Sequence, residues 1–316
     1  MTYWFKNVMI YRLTSELRFT SSELDAQLQQ TKFTPCQQSD MQKFGWSSPL
    51  AGSELLHFAQ GQQFLLVSHK EEKLLPAHVV KKETENRIEI LEQKEQRKLK
   101  KTEKQAIKDD VVAMLLPRAF SKHQFTAIWL DLDKQLVYVD SGSVKRAEDT
   151  LALLRKSLGS LPVVPISFTL QPSEVMTNWV AKGHTPSWLT LLEEAELKSF
   201  DTDSVIRCKR QDLESDEISQ HLQAGKFVTK LALDWENHFS FVLNEDATLA
   251  RVKFADEVRE KNDDILKEDK AQRFDADFLL MTEELRLFTE KLTEEFGGYL
   301  FSWSTISQPI FFYLET

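Results

Sequence analysis

Residues 94–108 read KEQRKLKKTEKQAIK, and their charge is opposite to that of the rest of the chain. Seven Lys and Arg residues against two Glu give this stretch a formal charge of +5, whereas the whole 316-residue chain carries −9. The remainder therefore carries −14 (−9 minus +5). Charge separated in this way indicates a surface for an anionic partner. The cations are Lys94, Arg97, Lys98, Lys100, Lys101, Lys104 and Lys108, and the acids are Glu95 and Glu103.

Five of these cations have the spacing of one face of a helix, with intervals of three and four residues. The pattern predicts one long helix within a projecting region, residues 79–116, which Pro117 ends because it has no N–H to donate. Its basic face would extend roughly 21 Å at 1.5 Å per residue. Two interpretations remain open: a solvated helix stabilised by Lys–Glu pairs, or a phosphate-binding face. The five cations are Lys94, Arg97, Lys101, Lys104 and Lys108.

The composition is that of a globular protein, with 41% hydrophobic and 10% aromatic residues. We expect no secretory signal, because the first residues lack a basic segment followed by an apolar one. No apolar run approaches the roughly 18–20 residues of a membrane span. The two cysteines, Cys36 and Cys208, stand outside any C-x-x-C motif, which favours a reducing compartment. The expectation is a cytoplasmic protein that does not enter a membrane.

Residues 1–78 and 117–172 are predicted to form an N-terminal α+β unit. A β-hairpin should turn at Asp133 and Lys134, because the residues on either side alternate between apolar and polar. Its inward side chains would be Ile128, Leu130, Val137 and Val139. The expected strands cover residues 4–13, 62–69, 125–131, 135–140 and 163–170, and the expected helices residues 22–30 and 144–158, with residues 34–52 as a loop.

Residues 173–298 are predicted to form a second α+β unit, built around three alternating runs that make an antiparallel meander. The fold class is therefore α+β, with antiparallel sheets and flanking helices. Residues 299–316 form an apolar tail that does not continue the pattern. The expected strands cover residues 226–235, 238–244 and 248–254, and residues 205–211 are expected to form a short strand or a loop. The expected helices cover residues 174–181, 188–200, 215–224, 256–269 and 275–296.

Enzymatic motifs are poorly represented. The chain has no G-x-x-x-x-G-K-[ST] loop, no H-E-x-x-H and no C-x-x-C pair, so no catalytic residue, metal or cofactor is predicted. Asp131, Asp133 and Asp140 flank the hairpin and could hold Mg²⁺ in a nuclease, but Asp133-Lys134 is also ordinary turn chemistry. Cys36 has no neighbouring His and is interpreted as a structural thiol.

Further residues favour nucleic-acid binding. Arg118 and Phe120 follow the basic helix, and a Phe beside cations can stack on bases, although an aromatic residue after a helix stop is more often a core anchor. Lys209, Arg210 and Gln211 form a second small polar cluster that could contact phosphate. No helix-turn-helix, zinc finger or RNP signature is present, so binding should be directed to the backbone and sensitive to salt.

Several blocks of sequence resemble a known family, the RdgC family of bacterial recombination-associated proteins. The resemblance runs from residue 1 to about residue 298, and the tail beyond it departs from the family pattern. The blocks are WFKNVMIYRL at 4–13, FTPC at 33–36, KEEKLLP at 70–76, RKLKKTEK at 97–104, LLPRAFS at 115–121, AEDTLALLRKSLGSLPVVP at 147–165, VTKLALDW at 228–235 and AQRFDADFLLMT at 271–282.

The resemblance implies a nucleoid-associated DNA-binding protein without enzymatic activity. Its crescent-shaped subunits would form a ring-shaped homodimer that encircles double-stranded DNA without sequence preference, binds single strands as a weaker expectation, and restrains RecA-promoted recombination, including at replication forks. A Mg²⁺-dependent nuclease and a protein-interaction scaffold remain alternatives. The DNA-facing role passes to Lys94, Arg97, Lys98, Lys100, Lys101, Lys104, Lys108, Arg118 and Phe120, and less directly to Lys209, Arg210 and Gln211.

Overall fold

The computed structural model describes residues 3–262, 265 and 269–300 of the chain. Its strands form one sheet in the order β2-β4-β5-β6-β1-β12-β11-β10-β8-β9, with β3 on β4 and β7 on β1. The strands are β1 (Val8–Leu13), β2 (Gln42–Ser47), β3 (His57–Gln60), β4 (Gln63–Lys73), β5 (Ser121–Asp131), β6 (Leu136–Asp140), β7 (Val163–Pro165), β8 (Thr190–Ser199), β9 (Val205–Lys209), β10 (Lys226–Trp235), β11 (Phe239–Asn244) and β12 (Leu249–Phe254).

Helices cover both faces of the sheet and project beyond it. They are α1 (Ser21–Gln29), α2 (Ala77–Glu95), α3 (Lys101–Leu115), α4 (Val144–Leu158), α5 (Pro172–Lys182), α6 (Asp216–Gln223), α7 (Asp256–Arg259) and α8 (Lys270–Glu295), with 3₁₀ turns at Leu116–Arg118 and Glu260–Asn262. The paired strands run antiparallel. The α+β class with antiparallel pairing is therefore confirmed. None of the helices among the described residues is long and apolar enough to cross a membrane.

The predicted hairpin and meander are both confirmed. Ile128 opposes Val139 and Leu130 opposes Val137 across β5 and β6, and all four side chains are fully buried. They pack beneath α1 and α4 in one apolar cluster. Strands β10, β11 and β12 follow each other as the predicted meander. The hairpin strands are buried on both faces, because Trp129 and Tyr138 join a second apolar cluster on the other side of the sheet. Short connections between segments rich in β-branched and aromatic residues mark such strands in a sequence.

Other elements differ from the sequence-based expectation. Residues 188–200 were expected to be helical, but residues 190–199 form strand β8. Leu, Glu and Ala favour helices there, yet Ala195, Leu197 and Ser199 are buried at every second position, and tertiary pairing overrides the local preference. Strand β2 lies within the segment expected to be a loop, and β3 was also missed. The helix expected over 256–269 covers only four residues before a 3₁₀ turn, and 301–316 of the tail lie outside the described residues.

The two halves of the sheet meet between β1 and β12 in a short seam. Val8 pairs with Leu249, and the backbone N–H of Val252 donates to the carbonyl of Lys6 at 2.8 Å. On one face, α8 crosses this seam for about 39 Å, at 1.5 Å for each of its 26 residues. Its apolar side chains share a single cluster with strands from both halves. The members on α8 are Phe274, Phe278, Met281, Leu285, Phe288 and Leu292.

Polar contacts fix the position of α8 on the N-terminal half of the sheet. The carboxylate of Asp131, which is fully buried, accepts two hydrogen bonds from the guanidinium of Arg286. The hydroxyl of Tyr138 donates to the hydroxyl of Thr289 at 3.1 Å. Burial of the charged Asp131 is tolerable only because Arg286 pairs with it in two-point geometry.

We predict that Arg286→Ala destabilises the protein by about 3 kcal/mol, because the Asp131 carboxylate then stays buried without its partner. Chemical denaturation followed by fluorescence measures the free energy of unfolding. The matched control is Lys134→Ala, which removes the exposed pair between Lys134 and Glu290 and should cost at most about 1 kcal/mol. Equal effects of the two substitutions would show that the buried pair does not anchor α8.

Candidate nucleic-acid interface

The basic stretch forms a helical hairpin, and the prediction of one continuous helix is wrong. Helix α2 leaves the end of β4, ends at Glu95, and is followed by Gln96 in the left-handed conformation at φ 48°. Helix α3 begins at Lys101 and returns to β5. Neither glycine nor proline occurs between residues 77 and 116. The usual sequence signals for a break are therefore missing.

Three buried or bonded groups hold the turn between α2 and α3. The side chain of Leu99 is 8% exposed, and its backbone N–H donates to the Glu92 carboxylate at 3.0 Å. The backbone N–H of Lys100 donates to the Glu103 carboxylate at 2.7 Å. These contacts replace the helical hydrogen bonds that a continuous helix would have made. The predicted straight basic face of about 21 Å therefore does not exist.

Glu92 and Glu103 neutralise part of the basic stretch. Glu92 accepts from Lys98 at 2.8 Å and lies 3.0 Å from the ammonium of Lys104. The hydrogen bond from Lys98, followed by those from Leu99 and Lys104, lowers the pKa of Glu92 to about 2. Arg97 in the same way lowers the pKa of Glu103 to about 2. The interpretation as a helix stabilised by ion pairs therefore holds for three of the cations, Arg97, Lys98 and Lys104.

Four cations within residues 94–108 keep their charge available. Lys94, Lys100, Lys101 and Lys108 are exposed, and none forms an ion pair with any described residue. Lys94 lies in the last turn of α2, Lys100 immediately precedes α3, Lys101 begins it, and Lys108 lies two turns further along α3. The break in the helix therefore gathers three free lysines at the hairpin turn.

The base of the hairpin carries Arg118 and Phe120. Arg118 ends the 3₁₀ turn and is exposed. Phe120 is 83% exposed, while its carbonyl accepts from the backbone N–H of Leu74 at 2.8 Å. The side chain is thus no core anchor, although the backbone is fixed. Leu74 and Met41 are also about half exposed nearby, so an apolar patch lies beside a cation.

The cluster at Lys209, Arg210 and Gln211 lies far from the hairpin in a single chain. Lys209 ends the edge strand β9, and Lys209 and Arg210 are exposed. The backbone N–H of Gln211 donates to the carbonyl of Glu193 at 3.3 Å. Six strands separate β5 from β9. At about 4.8 Å per strand the separation is roughly 34 Å along the sheet, and the structure does not bring the two clusters together.

The aspartates of the β5–β6 hairpin are committed to structural contacts. Asp131 pairs with Arg286, and Asp133 lies 3.4 Å from the same guanidinium. One oxygen of Asp140 accepts from the backbone N–H groups of Lys6 and Asn7, both at 2.9 Å, and burial raises the pKa of that carboxyl. Within the described part of the chain, no group of three His, Cys, Asp or Glu residues could hold a metal ion.

Comparisons with known proteins agree over nearly the whole chain. The family model described as "RdgC: Putative exonuclease, RdgC" matches residues 3–299. A protein named "Recombination-associated protein RdgC" from Actinobacillus pleuropneumoniae serotype 3 (strain JL03) is 86% identical over 296 residues, which is 94% of this chain and 98% of that protein. Proteins of the same name from Pasteurella multocida (strain Pm70) and Haemophilus influenzae (strain PittGG) are 67% and 61% identical, each over 93% of this chain and 98% of their own length.

We predict that Glu92→Gln loosens the hairpin turn, because the Lys98 and Lys104 ammonium groups lose their shared carboxylate. Trypsin at neutral pH should cleave after Arg97 and Lys98 several-fold faster than in the parent protein, as mass spectrometry of early fragments will show. The control, Glu89→Gln, removes a carboxylate on the same helix that accepts from Gln93 and forms no ion pair with a described residue. Unchanged cleavage in both variants would contradict the role of Glu92.

The same carboxylates predict how the turn responds to pH. A lowered pKa means that the stabilisation is complete above the ordinary value of 4.5 and is lost as pH falls toward about 2. The methyl NMR signals of Leu99 should therefore stay constant from neutral pH to about 4.5 and shift below it.

Proposed function

The chain belongs to the RdgC family, and on that premise we propose that it binds double-stranded DNA without sequence preference as a ring-shaped homodimer. In this proposal the crescent-shaped subunits encircle the duplex, and occupation of the DNA restrains RecA-promoted strand exchange. The names of the relatives support a role in DNA recombination. The protein would then be cytoplasmic and associated with the nucleoid, with weaker binding to single strands.

The observation that carries this proposal is the unpaired charge at the hairpin turn. Lys94, Lys100 and Lys101 form no ion pair there with any residue that the structure describes, in a chain whose net charge is −9. Exposed cations of this kind bind phosphate and release counterions, so the affinity should fall steeply with salt. The acidic remainder of the surface would limit binding to one region and keep other faces away from DNA.

Arg118 and Phe120 would extend the contact at the hairpin base. An exposed ring beside a guanidinium can stack on a base or insert at a step, while the cation meets the backbone. The cluster of Lys209, Arg210 and Gln211 lies at the opposite end of the sheet. A closed homodimer could present cations from both ends of each subunit toward an enclosed duplex.

A nuclease is the second candidate, because the description of the matching family includes the word exonuclease. The carboxylates first considered for it, Asp131 and Asp140, are engaged in structural contacts, Asp131 fully buried and Asp140 half-buried. Loss of plasmid DNA in Mg²⁺ that EDTA prevents would favour this candidate over pure binding. A scaffold that uses the hairpin for an acidic protein would instead leave DNA unshifted even at low salt.

Charge reversal should test the hairpin directly. We predict that Lys100→Glu combined with Lys101→Glu weakens duplex binding at least tenfold, by a similar factor for unrelated sequences, and reduces the slope of log affinity against log salt by about two. Gel-shift titrations over a salt series provide the measurement. The matched control reverses two exposed lysines elsewhere, Lys182→Glu with Lys253→Glu. Unchanged affinity in the hairpin variant would exclude the turn as the DNA contact.

A closed ring also predicts a dependence on DNA ends. A high-salt challenge should release the protein from a short linear duplex faster than from a closed circle of the same sequence, because only the linear form allows sliding off an end. Relinearising the circle with a restriction enzyme should restore fast release. Equal release rates from both forms would contradict encirclement, while leaving backbone binding intact.

A further inference from the structure

A second cationic site lies on the face of the sheet that α4 covers. A recess of about 300 Å³ opens between the outer parts of β4 and β5 and the first turns of α4. Lys70 on β4 and Gln124 on β5 point to this face, because they stand an even number of positions from the buried Leu66 and Ile128. Lys145 and Arg146 reach the recess from α4.

The cations of this recess are not neutralised by close ion pairs within the described part of the chain. Neither Lys70, Lys145 nor Arg146 forms an ion pair with a described residue, in contrast to Arg97, Lys98 and Lys104 of the hairpin. Lys70 and Arg146 are half-buried. Partial removal of a cation from water is unfavourable unless an anion or a hydrogen-bond acceptor compensates for it.

Arg146 is held in a defined orientation. With the Gln124 amide oxygen turned toward the guanidinium, it accepts from Nη2 at 3.2 Å and from Nε at 3.1 Å. Those two bonds occupy one edge of the guanidinium and leave donors on the other side free. A planar fork of free donors suits the oxygens of a phosphate.

Two carboxylates, Glu72 and Asp149, also line the recess. Three cations against two acids leave one excess positive charge, so the recess is weakly cationic as a whole. A phosphate within a duplex backbone lies on a convex surface and would meet only the rim. A terminal phosphate projects from its nucleotide, enters a recess, and carries close to two charges at neutral pH.

We propose that this recess binds a phosphomonoester, with Lys70, Lys145 and Arg146 as its cationic ligands. The 5′-phosphate at a DNA end and the phosphate of a free nucleotide share this chemistry. Binding of a phosphate at a DNA end rests on the proposed function, whereas binding of a free nucleotide does not. The site shares no residue with the hairpin turn.

Fluorescence anisotropy with the full chain tests the proposal. The probes are one short single-stranded oligonucleotide, labelled at its 3′ end, with either a 5′-phosphate or a 5′-hydroxyl. We expect the 5′-phosphate to tighten binding about tenfold, the effect of one to two charge-assisted hydrogen bonds. Arg146→Gln and Lys70→Gln should each remove most of that difference, and Glu72→Gln should increase it. Lys156→Gln, at the exposed far end of α4, is the matched control and should preserve it.

Competition with deoxyadenosine 5′-monophosphate separates the two sources. If the nucleotide displaces the phosphorylated probe when the two are present at equal concentrations, the recess is a nucleotide site. If the nucleotide fails to displace it, so that only the strand end binds tightly, the recess is a DNA-end site. Equal affinity for both probes, together with no competition, overturns the proposal. A phosphate-dependent difference that survives in Arg146→Gln and Lys70→Gln overturns it as well.

A failure of the proposed DNA binding can be distinguished from a failure of the proposed phosphate site. If neither oligonucleotide binds, the proposed function fails, and calorimetric titration of the protein with deoxyadenosine 5′-monophosphate decides the recess alone. Heat of binding that disappears in Arg146→Gln supports the site, and absence of heat in the parent protein rules it out. Each variant should unfold at the same temperature as the parent protein. That result would show that the substitutions act on the recess and not on folding.

Discussion

The packing of α8 across the sheet is the constraint on which the rest of the structure depends. The two halves of the sheet share only the short seam between β1 and β12. Helix α8 buries its aromatic and aliphatic side chains against strands on both sides of that seam, in one apolar cluster. Its orientation is then set by the buried pair of Arg286 with Asp131. Apolar burial stabilises this arrangement, while the polar pair makes its register specific.

Strands joined by short turns were predictable from the sequence. Strands whose residues individually favour a helix or a loop were not. The hairpin at β5 and β6 and the meander of β10 to β12 join segments rich in β-branched and aromatic residues through short turns, and these local signals identified them. The prediction for strand β8 was wrong because residues 191–197 are rich in good helix formers. The alternation of buried and exposed side chains in β8 becomes evident only from its pairing with β10. Strand β2 was missed because its burial does not alternate: only the adjacent Gly45 and Trp46 are buried. Its partner is β4, which comes after β3 in the chain, so no local hairpin signal marks the pairing.

The candidate site was predictable in composition and not in geometry. The excess of Lys and Arg in 94–108 is visible in the sequence, whereas the break at Gln96 is not. The one clue was Leu99, an apolar residue alone in a basic run, which proves to be buried in the turn. Periodicity assigns charges to a face, but it cannot show that Glu92 neutralises two of them from six and twelve residues away. Which lysines stay free is therefore a tertiary property.

The ladder beneath the hairpin bears on how such a protein can change over evolution. Strands β4 and β5 pair without interruption over eleven positions, from Gln63 with Asp131 to Lys73 with Ser121. Everything between Lys73 and Ser121 is therefore an excursion from a sheet that is already complete. Such an excursion can lengthen or shorten by whole helical turns without altering the register of the core. The reach of the cationic turn is thus a trait that selection can adjust independently of folding.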